Sequence, residues 1–147
     1  MATETTELPS ATLVFTPERK ALHAIFVTAL EGGIGYWSTA TSYKWSNEDG
    51  EEDLIGFHAD IFETEEMPDE EDEEDEEAAA IPTRRIDAQV VARGLVALAA
   101  AKKGPFRDLC IRILLGGETA DDALCECDAE AADAIVQMGL FGELVYG

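Results

Sequence analysis

Glycines and aromatic residues lie close together in one stretch of the sequence, in a combination that could bind a small molecule. The stretch contains Gly32, Gly33, Gly35, Tyr36 and Trp37. Glycine allows a ligand to approach the backbone closely, and aromatic rings stack on a base or a sugar. However, a nucleotide fingerprint needs a strand, then the glycines, then a helix, whereas this stretch follows a predicted helix and precedes a predicted strand. We therefore favour a helix end and a tight turn. The alternative is a ligand-binding site formed by Gly33, Gly35, Tyr36 and Trp37.

The histidines and cysteines match no familiar catalytic or metal-binding pattern. His23 and His58 have no Ser, Cys or carboxylate around them at a catalytic spacing. Cys125 and Cys127 form a C-x-C pair, which with Cys110 offers at most three thiols. A structural zinc ion usually has four ligands. We expect no enzyme activity, no metal and no cofactor.

Acidic residues dominate the composition, with 32 Asp and Glu against 10 Lys and Arg and a formal net charge of -22. They concentrate in residues 63–77, where 12 of 15 residues are acidic and none is basic. Such a charge repels nucleic-acid phosphates and anionic membrane surfaces, so we expect neither to be bound directly.

The spacing of these carboxylates suggests a function for them. Fully extended, the run carries one carboxylate per ~4 Å, close to the ~3.4 Å between phosphates of a DNA strand. It could therefore compete for a basic cleft, the plain alternative being a solvated linker. A second acidic cluster lies at the tip of a predicted hairpin. The predicted partner-binding residues are Glu48, Asp49, Glu51, Glu52, Asp53, Glu70, Glu71, Asp72, Glu73, Glu74 and Asp75.

Two kinds of hydrophobic period position these residues in the first half of the chain. Thr16 and Pro17 predict a helix start, and apolar residues then recur at helical spacing until Gly32 and Gly33. From residue 34 to residue 45 the period becomes two, with aromatic and β-branched residues typical of a strand. Turn residues and a second alternating run over residues 55–61 complete a predicted hairpin.

The second half predicts helices. One apolar stripe runs from Ile86 to Leu98, a third helix starts at Pro105, and Thr119 marks a short helical turn. Asp128 is the expected cap of a last helix, followed by a brief terminal strand over residues 142–146.

Together these patterns predict an α+β fold, in which an antiparallel β-hairpin or small sheet packs on about four helices and is interrupted by a disordered acidic insertion. Residues 1–12 are expected to be a flexible N-terminus, residues 13–147 a single α+β domain, and residues 63–80 the acidic loop inserted within it. No apolar run reaches the length of a membrane span, and the first ten residues do not resemble a secretory signal. We expect a cytoplasmic protein with reduced thiols.

Three segments resemble a family of small bacteriophage proteins common in phages of actinobacteria. They are residues 28–37 with the pattern EGG-x-x-YW, residues 128–137 (DAEAADAIVQ), and residues 140–147 with the pattern FGE-x-x-YG. The resemblance implies a viral accessory protein of the host cell cytoplasm, without an agreed activity, and it assigns no catalytic residues.

Two functions follow as hypotheses. The first is a non-enzymatic protein of host takeover or anti-defence, which binds and inhibits a host or anti-phage defence component with a basic surface, in part as a DNA mimic. The second is a sponge for a nucleotide signal that uses the Gly/aromatic turn. We also predict a homodimer, because four short helices and one hairpin leave aromatic area to be covered.

Overall fold

The computed structural model describes residues 8–46, 49–64 and 82–147. Within them, a three-stranded antiparallel sheet and five α-helices confirm the predicted α+β class. A π-helical segment, Ala29–Gly33, continues the first helix. The elements in chain order are α1 (Arg19–Thr28), β1 (Ser38–Lys44), β2 (His58–Glu63), β3 (Arg84–Asp87), α2 (Ala88–Ala100), α3 (Arg107–Leu115), α4 (Gly117–Glu126) and α5 (Ala129–Phe141). No helix in these residues is both long and apolar enough to cross a membrane.

The sheet has the strand order β1-β2-β3. Ser38 lies opposite Glu63 at one end of the β1–β2 pair, and Lys44 lies opposite His58 at the other. β3 pairs with the second edge of β2, so that Asp87 lies beside His58. The strand β3 was not predicted, because its four residues are too short to show a period of two.

The two connections of the sheet therefore leave it at opposite ends. Residues 45–57 join β1 to β2 at the end marked by Lys44, and residues 64–83 join β2 to β3 at the end marked by Glu63. Glu63 itself belongs to β2, although it falls inside the range assigned to the acidic loop. Residues 65–81 lie outside the described residues, so the disordered insertion stays a prediction.

One face of the sheet builds the core. Ala59, Ile61 and Ile86 are completely buried against the helices. The alternation expected along β1 fails, because the pairing shifts between Ala40 and Ser42 and leaves most of that strand exposed. A β-bulge of this kind moves the following side chains to the other face.

Helices α2 and α5 approach each other very closely. A Cβ atom on Gly94 would lie 1.8 Å from the carbonyl oxygen of Ile135, and one on Gly139 would lie 1.9 Å from that of Val90. Only glycine fits at both positions, and α5 is thereby held firmly across the layer of helices.

Two helices depart from the sequence prediction. α1 begins at Arg19 rather than near Thr16, whereas the π-helical segment that continues it ends at Gly33, as predicted. α4 is a ten-residue helix rather than a short turn at Thr119. Its N-terminus is capped from a distance, because the Glu18 carboxylate accepts a 2.6 Å hydrogen bond from the backbone N–H of Gly117.

The predicted start of the last helix is confirmed. The Asp128 side chain accepts a 2.9 Å hydrogen bond from the backbone N–H of Ala131. The terminal strand predicted for residues 142–146 does not form, since Gly142 adopts a left-handed conformation with φ of 74° and redirects the chain.

Candidate functional site

The β1–β2 connection is organised by one of its own acidic residues. The Asp53 carboxylate accepts hydrogen bonds from the backbone N–H groups of Gly56 (2.7 Å) and Ile55 (3.1 Å). Its second oxygen lies 3.3 Å from the Lys44 ammonium. The bond from Gly56, with help from Lys44, holds the pKa of Asp53 below its usual range. The Asp53 side chain therefore shapes the loop.

The rest of the predicted acidic cluster is divided by the fold. Asp49, Glu51 and Glu52 are exposed on the β1–β2 connection, where Glu52 bridges to Ser46. Glu48 and the whole of the second predicted group lie outside the described residues. That second group is Glu70, Glu71, Asp72, Glu73, Glu74 and Asp75, which stay predictions. Its flanking strand ends lie at the opposite end of the sheet from Glu52.

Glu52 faces a cleft between this connection and the end of the first helix. The cleft has a volume of about 340 Å³ and is lined by His23, Val27, Glu31, Trp45, Ser46, Gly50 and Glu52. Neither Glu31 nor Glu52 forms an ion pair within the described residues, which contain all ten Lys and Arg of the chain. We call this the Glu31/Glu52 cleft.

The wall of the Glu31/Glu52 cleft is rigidly supported. The ring nitrogen Nε2 of the buried His23 lies 2.8 Å from the carbonyl oxygen of Trp45. The His23 ring meets Phe57 edge-on at 5.3 Å, and the Trp45 ring packs on Tyr43 at 4.5 Å. His23 therefore positions Trp45. An indole ring beside two carboxylates is a suitable environment for a Lys or Arg side chain.

The Gly/aromatic turn lies at the other end of the sheet. Trp37 is buried, its indole N–H donates a 2.8 Å hydrogen bond to Asp133, and its ring stacks on Tyr146 at 4.9 Å. The Tyr36 hydroxyl donates a 2.6 Å hydrogen bond to the second oxygen of Asp133. Gly33 packs against α5, where a Cβ would lie 2.8 Å from the carbonyl oxygen of Ala129. Gly35 has open space around it.

Gln137 extends these contacts to the C-terminus. Its amide nitrogen donates to Asp133 at 2.9 Å and to the carbonyl oxygen of Tyr146 at 3.2 Å. Its amide oxygen accepts from the backbone N–H groups of Val145 (2.9 Å) and Tyr146 (2.8 Å). We call Tyr36, Trp37, Asp133, Gln137 and Tyr146 the Asp133 cluster. It joins residues from three segments that are distant in sequence, 28–37, 128–137 and 140–147.

A second set of contacts connects the Asp133 cluster to the sheet. The Tyr146 hydroxyl donates to Glu63 at the end of β2. Arg84 pairs with Glu63 at 3.6 Å, and its guanidinium lies 5.0 Å above the Phe141 ring. The polar groups at this end of the sheet are thus paired with one another.

A small cavity of about 260 Å³ lies beside the Asp133 cluster. Tyr36, Phe106, Glu130, Asp133 and Gln137 are among its lining residues, and no Lys or Arg lines it. Arg19, Lys20, Arg84, Arg85 and Arg93, which could pair with an anionic ligand, are not among its lining residues. With two carboxylates in its wall, the cavity disfavours a phosphate-bearing ligand. Partial burial of the hydroxyl and the bond to Asp133 raise the pKa of Tyr36 to about 12.

The remaining residues that could take part in catalysis or metal binding are the three cysteines and the clusters of His and acidic side chains. Burial raises the pKa of the Cys110 thiol to about 12 and that of Cys127 to about 11, so both stay protonated near neutral pH. Cys125 is exposed. In the part of the chain that the structure describes, no group of three His, Cys, Asp or Glu side chains could hold a metal ion.

Three site residues were missed although the sequence carries a signal for each. Asp133 and Gln137 are polar residues four apart in the apolar helix α5, which indicates a buried polar pair on one helix face. Glu31 follows His23 and Val27 at intervals of four, so the three share one face of the first helix.

Comparison of the chain with known protein families, curated protein sequences and solved structures finds no match.

Proposed function

We propose that this chain is a non-enzymatic phage accessory protein that binds and inhibits a basic host or anti-phage defence protein through its acidic surface. The observation that supports the proposal most directly is the Glu31/Glu52 cleft. Two carboxylates that have no ion-pair partner among the described residues line the cleft beside an aromatic ring. One comes from the end of the first helix and the other from a loop that Asp53 and His23 order. An arginine or lysine of the partner would supply the missing positive charge.

Net charge adds to this local feature. At -22, the chain attracts a basic surface from a distance and accelerates its encounter with that surface. The described residues hold every cation of the chain, and several of these are paired internally, as Lys44 is with Asp53. Charge attraction of this kind weakens as salt shortens the screening length to about 10 Å at 0.1 M.

The two predicted acidic groups have separate roles in the proposal. The strand residues from which the two segments leave the sheet, Lys44 and Glu63, lie at its opposite ends. The Glu31/Glu52 cleft takes a specific basic side chain. The acidic run of residues 65–77 adds a DNA-like field that helps to displace nucleic acid from the partner.

The experiment is purification of the tagged chain from infected host cells, with native mass spectrometry of what copurifies. A stoichiometric basic partner that dissociates with salt is expected. The variant Glu31→Gln/Glu52→Gln should weaken its capture by about tenfold, or ~1.4 kcal/mol. The matched control is Glu118→Gln/Asp122→Asn on α4, which removes the same charge from exposed positions and should keep the partner. Equal loss in both variants would contradict a specific cleft.

Replacement of residues 65–77 by a Gly/Ser linker tests the acidic run separately. We expect weaker binding and a smaller salt dependence, because the run carries 11 acidic residues and no basic one, against a net charge of -22 for the whole chain. Unchanged binding would remove the run from the mechanism and leave the cleft in place.

The cavity beside the Asp133 cluster favours a second candidate, the small-molecule sponge. A small mass retained by the purified chain with no protein partner would support it. The variant Tyr36→Phe keeps the ring and removes its hydroxyl from the cavity, so it should reduce that retention. The wall carboxylates make a neutral or cationic ligand a better fit than a nucleotide.

A further inference from the structure

An N-terminal arm, residues 8–15, exposes large apolar side chains. Leu8, Leu13 and Val14 are 82%, 72% and 87% exposed, and the arm forms neither helix nor strand. Single exposed apolar residues are common on protein surfaces. Three in a short extended segment form a patch that indicates an interaction.

An apolar groove runs along α2 and consists of two depressions that share Val96. One, of about 570 Å³, lies between α2 and α5, where Met138 and Gly139 contribute to it. The other, of about 340 Å³, lies between α2 and α3 and is lined by Phe15, Val96, Ala99, Ala100, Leu114 and Leu115, among others. We call the two together the α2 groove.

The N-terminal segment and the α2 groove carry charges of opposite sign. Arg93 lines the α2 groove, and Lys102 and Lys103 follow the end of α2. None of these three cations forms an ion pair within the described residues. In the sequence, the only charged residues before residue 18 are Glu4 and Glu7, which precede the arm. An acidic and apolar segment thus matches a cationic and apolar groove.

We propose that the chain forms a dimer by arm exchange, in which the N-terminal arm of one protomer occupies the α2 groove of its partner. Within one protomer, Phe15 lines the groove while Leu13 and Val14 remain exposed. The protomer therefore does not bury the apolar side chains of its own arm. A two-fold exchange makes the same contact twice and closes the assembly.

The oligomeric state of the full chain, measured by sedimentation velocity, tests the proposal. The arm variant Leu13→Ser/Val14→Ser changes exposed side chains that the fold does not need, and it should weaken the dimer by at least about tenfold. The groove variant Val96→Glu should do the same. Ile55→Ser is the control, because Ile55 is 76% exposed on the β1–β2 connection and lies outside the α2 groove.

Mixing the two variants distinguishes arm exchange from simple contact between surfaces. The groove variant has an intact arm and the arm variant an intact groove, so their mixture should form a heterodimer more readily than either variant forms a homodimer. A monomeric wild-type chain, a dimer indifferent to the arm variant, or no excess of heterodimer would overturn the proposal. So would hydrogen-exchange protection of the arm in a monomer, which would place it on its own groove.

Discussion

At one end of the sheet, polar side chains from three distant segments pair with one another; at the other, two carboxylates face a cleft without a cation. The Asp133 cluster brings three donors to one carboxylate, from Tyr36, Trp37 and Gln137. The Glu31/Glu52 cleft has a similar aromatic and acidic composition. There, however, the two carboxylates have no ion-pair partner among the described residues.

This difference separates a structural role from a binding role. Buried polar groups contribute to stability when each has a hydrogen-bond partner. Removing one partner destabilises the fold, because the remaining groups stay buried without a hydrogen bond. Surface carboxylates that face a cleft contribute little to stability and are available to a partner. We therefore expect the same residue types to have different roles at the two ends, and mutations should separate these roles.

The largest effect is expected from Asp133→Ala. It leaves the Trp37 indole, the Tyr36 hydroxyl and the Gln137 amide without their common acceptor, so we expect a loss of ~3–5 kcal/mol in the free energy of unfolding. Urea denaturation measures it. Asp133→Asn, which keeps one acceptor oxygen, should lose less. Asp122→Ala on the exposed side of α4 is the control. If Asp133→Ala lowers the free energy of unfolding by less than ~1 kcal/mol, the cluster does not have a structural role.

Tyr146→Phe should have a smaller effect of ~1 kcal/mol, because it removes one hydrogen bond to Glu63 while the ring still stacks on Trp37. Thermal and urea unfolding report the change. Tyr43→Phe is the matched control, since that side chain is more than half exposed and its ring also packs on a Trp ring, that of Trp45. Equal losses in the two variants would contradict the contact from Tyr146 to the sheet.

Alkaline pH should weaken the Asp133 cluster through Tyr36. The folded-state pKa of Tyr36 is about 12, above its ordinary value of 10.0, so folding favours the neutral phenol. Its contribution to stability is complete below the unfolded pKa and is lost as pH rises through the folded pKa. The loss is expected to be modest because much of the ring is exposed. Urea unfolding of the wild type and Tyr36→Phe across this range should show a steeper decline for the wild type, and parallel declines would refute the assignment.

The smallest effect on stability is expected at the end of the sheet that carries the Glu31/Glu52 cleft. Glu31→Gln/Glu52→Gln should change the free energy of unfolding by no more than ~0.5 kcal/mol, because neither side chain has an ion-pair partner in the part of the chain that the structure describes. The same urea experiment measures it. A larger loss would mean that these carboxylates support the fold, and the contrast between the two ends would fail.

The sequence predicts those parts of the molecule that depend on local patterns. Helical spacing and the Asp128 cap identify α5, and turn residues identify the β1–β2 pair. The role of Gly94 and Gly139 could not be predicted from local patterns, because it depends on the close contact between α2 and α5. The four residues of β3 likewise depend on pairing with β2 rather than on their own period.

The candidate site was predicted only in part, for the same reason. Glu52 follows from the acidic hairpin tip, whereas Glu31 comes from a helix that contacts this tip only in the folded chain. Asp53 was expected to face a partner, and the structure uses it to order the loop. Trp37 carries the Gly/aromatic motif, yet its partners Asp133 and Tyr146 lie about a hundred residues away in sequence.

Hydrogen exchange of the chain with and without its captured partner tests the central claim most directly. We predict that the partner increases protection in residues 27–31 and 49–56, which form the Glu31/Glu52 cleft and its loop. Protection in residues 33–37 and 142–147, around the Asp133 cluster, should stay the same in both states. New protection confined to the Asp133 cluster, with none at the cleft, would contradict the assignment of binding to the acidic end of the sheet.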